Sequence, residues 1–130
     1  MQEPTWIREF EVRALHLRML SQFGGSEGVR DAGLLESALS RPKNRFAYSE
    51  KPLRLAELAA AYAFGICRNH PFVDGNKRTA MIVSFLFLEF NGSEVTAIQE
   101  DAYLIFFSLA AGTLSEEELT EWFVKNTVVA

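Results

Sequence analysis

Two apolar helical stretches separated by a short polar joint constrain this chain more than any other feature. Arg54 to Arg68 is rich in Leu and Ala and reads as a helix apolar on most of its surface. Asn76 to Asn91 is a second apolar helix, with Gly92 at the left-handed stop. Pro71 biases the residue before it away from helical geometry, so the first helix should end at or just before His70. Two helices apolar nearly all round must be covered by others, and the flanking sequence supplies them. Ile7, Phe10, Ala14, Leu15, Leu17 and Leu20 approximate one face of a helix from Trp6 to Phe23, closed by Gly24 and Gly25. Asp31 can cap a short helix through Leu39 that Pro42 stops. Lys43 to Pro52, polar with alternating Phe46 and Tyr48, is expected to be a loop or small hairpin. Thr96 with Gln99, and Ser115 with Glu118, have capping-box spacing and open helices over 97–111 and 116–126. The expectation is an all-α bundle forming a single domain over residues 1–130.

Composition narrows the setting. A lone Cys67 cannot form an internal disulfide, which excludes a disulfide-held module and favours a reducing compartment. The longest apolar run, Ala80 to Leu88, is interrupted by Ser84 and far short of a membrane span, so no membrane role is expected. The first residues lack a basic start followed by an apolar stretch, so a cytoplasmic location is expected. The net charge of −4 argues against direct nucleic-acid binding. Yet 12 of the 13 Lys and Arg residues fall within residues 1–78, leaving room for a local anion site.

The joint itself carries the chemistry. A helix N-terminus presents unpaired N–H groups and partial positive charge. Gly75 lets a ligand approach the backbone, and Asn76, Lys77 and Arg78 add donors. Asp74 is a carboxylate placed to hold Mg²⁺ beside phosphates. His70 is a base able to accept a hydroxyl proton near neutral pH. Each residue singly also fits a decorated polar turn, and residue chemistry alone leaves both readings open. The Gly24-Gly25-Ser26-Glu27-Gly28 run reads as a plain turn, and no Walker P-loop occurs.

The run His70-Pro71-Phe72-Val73-Asp74-Gly75-Asn76-Lys77-Arg78-Thr79-Ala80 resembles the signature of the Doc (death on curing) toxins, a branch of the Fic superfamily. Gly28-Val29-Arg30-Asp31, Gly33 to Leu39, Arg41-Pro42 and Phe87 to Gly92 are similar to other parts of that family. The resemblance implies the all-α Fic fold and a toxin neutralised by a separately encoded antitoxin. It implies a Ser/Thr kinase-like enzyme that moves a phosphoryl group from ATP to a hydroxyl of elongation factor Tu and so stops translation. By the motif match, His70 would be the catalytic base, Asp74 the Mg²⁺ ligand, and Gly75, Asn76, Lys77 and Arg78 the phosphate-binding residues. Arg68 matches a family arginine near the site.

The wider Fic pattern, His-x-Phe-x-Asp/Glu-Gly-Asn-Gly-Arg-x-x-Arg, belongs to enzymes that transfer AMP. Here Lys77 replaces its second glycine and Met81 its last arginine. A lysine fills space that glycine leaves for the nucleotide and adds a charge, which points from AMP transfer toward phosphoryl transfer. The inhibitory pattern Ser/Thr-x-x-x-Glu-Gly/Asn is unmatched, since Thr5 and Glu9 are followed by Phe10. Inhibition is therefore expected from a partner, with Arg41, Lys43, Arg45, Lys51 and Arg54 available to its acids. The alternatives are a Fic-type AMP transferase, a catalytically silent helical interaction module and, weakest, a metal hydrolase, for which His16 and His70 lack ligand spacing.

Overall fold

The computed structural model describes residues 2–130. Six helices follow one another: α1 (Glu9–Phe23), α2 (Ala32–Tyr48), α3 (Leu55–Asn69), α4 (Asn76–Phe90), α5 (Gln99–Ala110) and α6 (Glu116–Lys125). Two short strands, β1 (Ser93–Val95) and β2 (Thr127–Val129), pair antiparallel with Glu94 opposite Val128. The architecture is the expected all-α bundle.

Its centre is α3, which packs against α2, α4, α5 and α6. Leu58 to Ala63 and Ile66 are fully buried, as an apolar surface on all sides requires. Small side chains let the neighbours come close. A Cβ on Gly65 would lie 3.3 Å from the Cα of Ala38, so α2 and α3 cross here almost backbone to backbone. Phe87 of α4 reaches across to tilt against Tyr62, 5.2 Å between ring centroids, and to stack on Trp6 at 5.8 Å.

Tyr62 ties the chain's first residues to this core. Its buried hydroxyl accepts the N–H of Ile7 at 3.0 Å. Burial pushes the phenol up from 10.0 to about 12, against a smaller opposing effect of the Ile7 hydrogen bond. The fold thus holds a neutral phenol where the unfolded chain would ionise. Its stabilising contribution is complete below about pH 10 and is lost as pH rises toward 12, by about 3 kcal/mol. Tyr62→Phe should cost about 1–3 kcal/mol at pH 7, through the orphaned Ile7 N–H, yet lose less stability on going to pH 11. Urea midpoints at the two pH values check this, and equal alkaline losses would contradict it.

Four expectations need correction. The α2 helix does not stop at Pro42 but runs through it to Tyr48, and the expected loop or hairpin over 43–52 is helical in its first part. An internal proline costs a helix about 3 kcal/mol. Contacts from outside offset that cost: Arg41 and Arg45 both donate to the carboxylate of Glu116 on α6, the latter at 2.9 Å, and Phe46 packs edge-on to Trp6. Arg41 and Arg45 are therefore committed internally, as is Arg54 to Glu57 and Glu121.

The second correction concerns Thr96, which caps no helix; its N–H bonds to Asn126 O at 2.7 Å, extending the β1–β2 pairing, and α5 begins after Ile98. Third, α1 starts at Glu9 rather than Trp6: the N–H groups of Thr5 and Ile7 are spent on Asn91 and Tyr62, and Arg8 before the helix is extended. Last, the buried face of α1 is Val12, His16 and Leu20, while Phe10 and Leu17 are exposed. The expected stops at His70 and Gly92 and the Ser115–Glu118 capping box are present. Among the described residues no helix is long and apolar enough to cross a membrane.

Candidate functional site

The joint between α3 and α4 is locked from several directions. His70 closes α3 in a left-handed conformation, φ 50° and ψ 55°, with its N–H on Ile66 O at 3.0 Å. Histidine is among the residues that tolerate this region best, at a cost of about 1 kcal/mol. Arg30 holds the turn by donating to the carbonyls of His70 and Asn69, at 2.7 and 2.8 Å, which also satisfies the negative end of α3. Phe72 is fully buried beneath the loop. The Asn76 amide then bonds both main-chain groups of Phe72, accepting its N–H at 2.9 Å and donating to its carbonyl at 3.0 Å.

The Gly24 to Asp31 segment is more than a plain turn. It lies along the joint as a strap, pairing Val29 with Phe72 and accepting the Val73 N–H on Gly28 O at 3.0 Å. Ser26 N–H reaches Asp74 Oδ2 at 3.3 Å, and a Cβ on Gly25 would lie only 2.9 Å from that same oxygen. With φ at 123°, Gly25 is required here both by its backbone and by the carboxylate beside it.

These constraints bring six of the seven expected residues to one cleft of about 380 Å³, lined by His70, Asp74, Gly75, Asn76, Lys77 and Arg78. His70 and Asp74 are exposed. Each Asp74 oxygen accepts a single main-chain N–H, from Ser26 or from Gly75 at 2.9 Å, and so retains lone pairs for a cation. Gly75 is left-handed at φ 77°, and no side chain caps the first turn of α4. Its N–H groups are thus available to an anion. Lys77 lies 5.2 Å over the Phe107 ring and Arg78 4.3 Å over Phe23; neither pairs with a carboxylate among the described residues. Two unpaired cations, free helix N–H groups, one carboxylate and one imidazole can hold an anion with a bridging cation and take up a proton beside it.

Two sequence expectations change in detail. The Asn76 side chain is spent on Phe72, so only its main-chain N–H and the loop shape it enforces face a ligand. Arg68 is exposed and lines an adjoining cleft of about 560 Å³ with Thr113, Ser115 and Glu118. Cys67 lies on the wall shared by the two clefts, where burial pushes its thiol up to about 12, opposed weakly by Lys77. A thiol so shifted stays protonated at neutral pH and is no nucleophile. Sequence reasoning missed His16, which lies under the loop within 2.8 Å of Asp74 O. The only signal for it was its place between Val12 and Leu20 at four-residue spacing.

Residues 6–88 match the model of the Fic/DOC family. The chain is 44% identical over 75 residues to the Toxin Doc of Mycolicibacterium smegmatis, a stretch covering 58% of each protein. It is 41% identical over 85 residues to the Protein kinase doc of Escherichia phage P1, covering 65% of this chain and 67% of that relative. The match thus spans less than two thirds of the mycobacterial relative's length and about two thirds of the phage protein's.

Proposed function

The chain belongs to the Fic/DOC family, and from that premise we propose that it is the toxin of a toxin–antitoxin pair, transferring the γ-phosphoryl group of ATP to a hydroxyl of a translation factor. Elongation factor Tu is the proposed target, and a separately encoded antitoxin the proposed partner. The observation that carries this reading is the convergence of His70, Asp74, Lys77 and Arg78 on one cleft at the uncapped start of α4.

The main-chain N–H groups of the first turn, with Lys77 and Arg78, bind the nucleotide phosphates and offset their charge. Gly75, lacking a Cβ, leaves the backbone open to them. Arg68, in the adjoining cleft, adds a cation to the same neighbourhood. The exposed His70 imidazole accepts the proton of the attacking hydroxyl as its oxygen bonds to the γ-phosphorus and the bond to the β-phosphate oxygen breaks. Asp74 fits Mg²⁺ on the chemistry of its donors: a single carboxylate with spare lone pairs suits a cation that keeps most of its waters and shares phosphate oxygens. When bound there, Mg²⁺ would neutralise charge on the phosphates.

The reading is tested by adding the purified protein and ATP to a cell-free translation system. Peptide synthesis should stop, and synthesis continuing at the rate of a protein-free control would contradict the proposal. For the metal, Asp74→Asn should remove most of the Mg²⁺ enhancement of ATP binding, because an amide is a poorer ligand for a hard cation. Calorimetry with and without Mg²⁺ checks this; an enhancement equal to wild type would reduce Asp74 to a turn residue.

A further inference from the structure

α1 turns one polar side chain into the core. His16 is 2% exposed, and its ring lies flat on Phe72, with centroids 3.8 Å apart and 11° between planes. Its Nε2 is 2.8 Å from the carbonyl oxygen of Asp74. A carbonyl can only accept, so Nε2 carries the proton. A buried donor is costly unless partnered, and this one is partnered by the loop that forms the floor of the cleft. His16 itself does not line the cleft. It lies beneath Gly75, where an added Cβ would sit 3.7 Å from Nε2.

The group that His16 holds is the peptide unit joining Asp74 to Gly75. That unit is planar and trans, so fixing its carbonyl toward α1 turns its N–H the opposite way. The N–H then donates to Asp74 Oδ1 at 2.9 Å, while Ser26 holds Oδ2. The inward hydrogen bond from His16 thus acts on the same peptide unit whose N–H, together with that of Ser26, meets the Asp74 carboxylate just before α4 starts.

We infer that His16 is a positioning residue for the transfer proposed above, acting through the 74–75 peptide on Asp74 and on the first turn of α4. The inference rests on that proposed reaction only for its kinetic consequence. Its structural content stands on the buried hydrogen bond and the stacked ring.

Two variants separate the donor from the ring. His16→Phe keeps an aromatic plane on Phe72 and leaves the Asp74 carbonyl without a partner. His16→Gln gives up the ring but keeps an amide N–H close to the position of Nε2. In the full chain, the measurements are transfer of γ-label from ATP to the translation factor, and the ¹H–¹⁵N resonance and hydrogen exchange of the Gly75 amide. His16→Phe should lower kcat about a hundredfold with a much smaller change in the KM for ATP, since a small misplacement near the reacting group is felt in the transition state. Its Gly75 resonance should move and its exchange quicken. His16→Gln should return both readouts most of the way to wild type.

Wild-type transfer with an unmoved Gly75 resonance in His16→Phe overturns the inference. So does equal loss of transfer in both variants with the resonance unmoved, which is the signature of general destabilisation. Should the wild-type protein transfer no label, the proposed reaction fails, whereas the Gly75 resonance across the three proteins still decides whether His16 sets that peptide.

Discussion

His70→Ala is expected to reduce transfer by a factor on the order of 10² to 10⁴ while leaving the helices folded. The side chain lines the cleft and is exposed, so its removal opens no cavity in the core. What the position contributes to the fold is main-chain: the N–H on Ile66 O and the carbonyl held by Arg30. Alanine keeps both. It tolerates the left-handed backbone at φ 50° somewhat less well than histidine, which should cost no more than about 1 kcal/mol. The rate and the urea midpoint are measured on the same preparation. Transfer at the wild-type rate would remove His70 from the mechanism, and a collapse of helicity would make it a structural residue.

Lys77→Gly is expected to lower phosphoryl transfer by about 10² to 10³, the scale on which one preorganised charge-stabilising donor counts. Lys77 is exposed in the first turn of α4 and has no carboxylate partner among the described residues, so its charge is free for a ligand. Its Nζ is 5.2 Å over the Phe107 ring of α5, which keeps the side chain at the mouth of the cleft. Glycine at this place matches the AMP-transferring pattern and clears space for the nucleotide in the reverse orientation. The other half of that pattern is still missing. Met81, at the place of the pattern's last arginine, lines an apolar groove with Tyr103, Leu104 and Phe107 rather than offering a cation. Loss of γ-transfer without matching gain of α-transfer is therefore the expected result. Lys77→Arg should retain more activity than Lys77→Gly, and full γ-transfer in Lys77→Gly would contradict the role assigned to the charge.

What could be read directly from the sequence is what depends on local signals. The α3 and α4 helices follow from their apolar composition, the break at His70 from Pro71, and the start of α6 from the Ser115–Glu118 capping box. The cleft residues were legible because His70 to Arg78 are contiguous at a helix start, whereas Arg30, Ser26 and His16, which hold that joint in shape, are distant in sequence and were not. What failed depended on contacts distant in sequence. Pro42 stays helical because Glu116, more than seventy residues away, holds the arginines on either side of it. Thr96 bonds Asn126 just beyond the end of the two-stranded sheet, and strands of three residues are too short to announce themselves by alternation. The face of α1 was misjudged because its central buried residue is a histidine, and a polar side chain counts as outward until its partner, the Asp74 carbonyl, is known.

The central claim is that the group moved is the γ-phosphoryl of ATP and that it moves to a protein hydroxyl beside His70. The direct test is to incubate the wild-type chain with elongation factor Tu and Mg²⁺, in parallel with α-labelled and with γ-labelled ATP, and to follow the label on the protein. The account predicts label on the translation factor from γ-labelled ATP alone, removed by His70→Ala. Label arriving from α-labelled ATP would contradict it and make this chain an AMP-transferring member of the family.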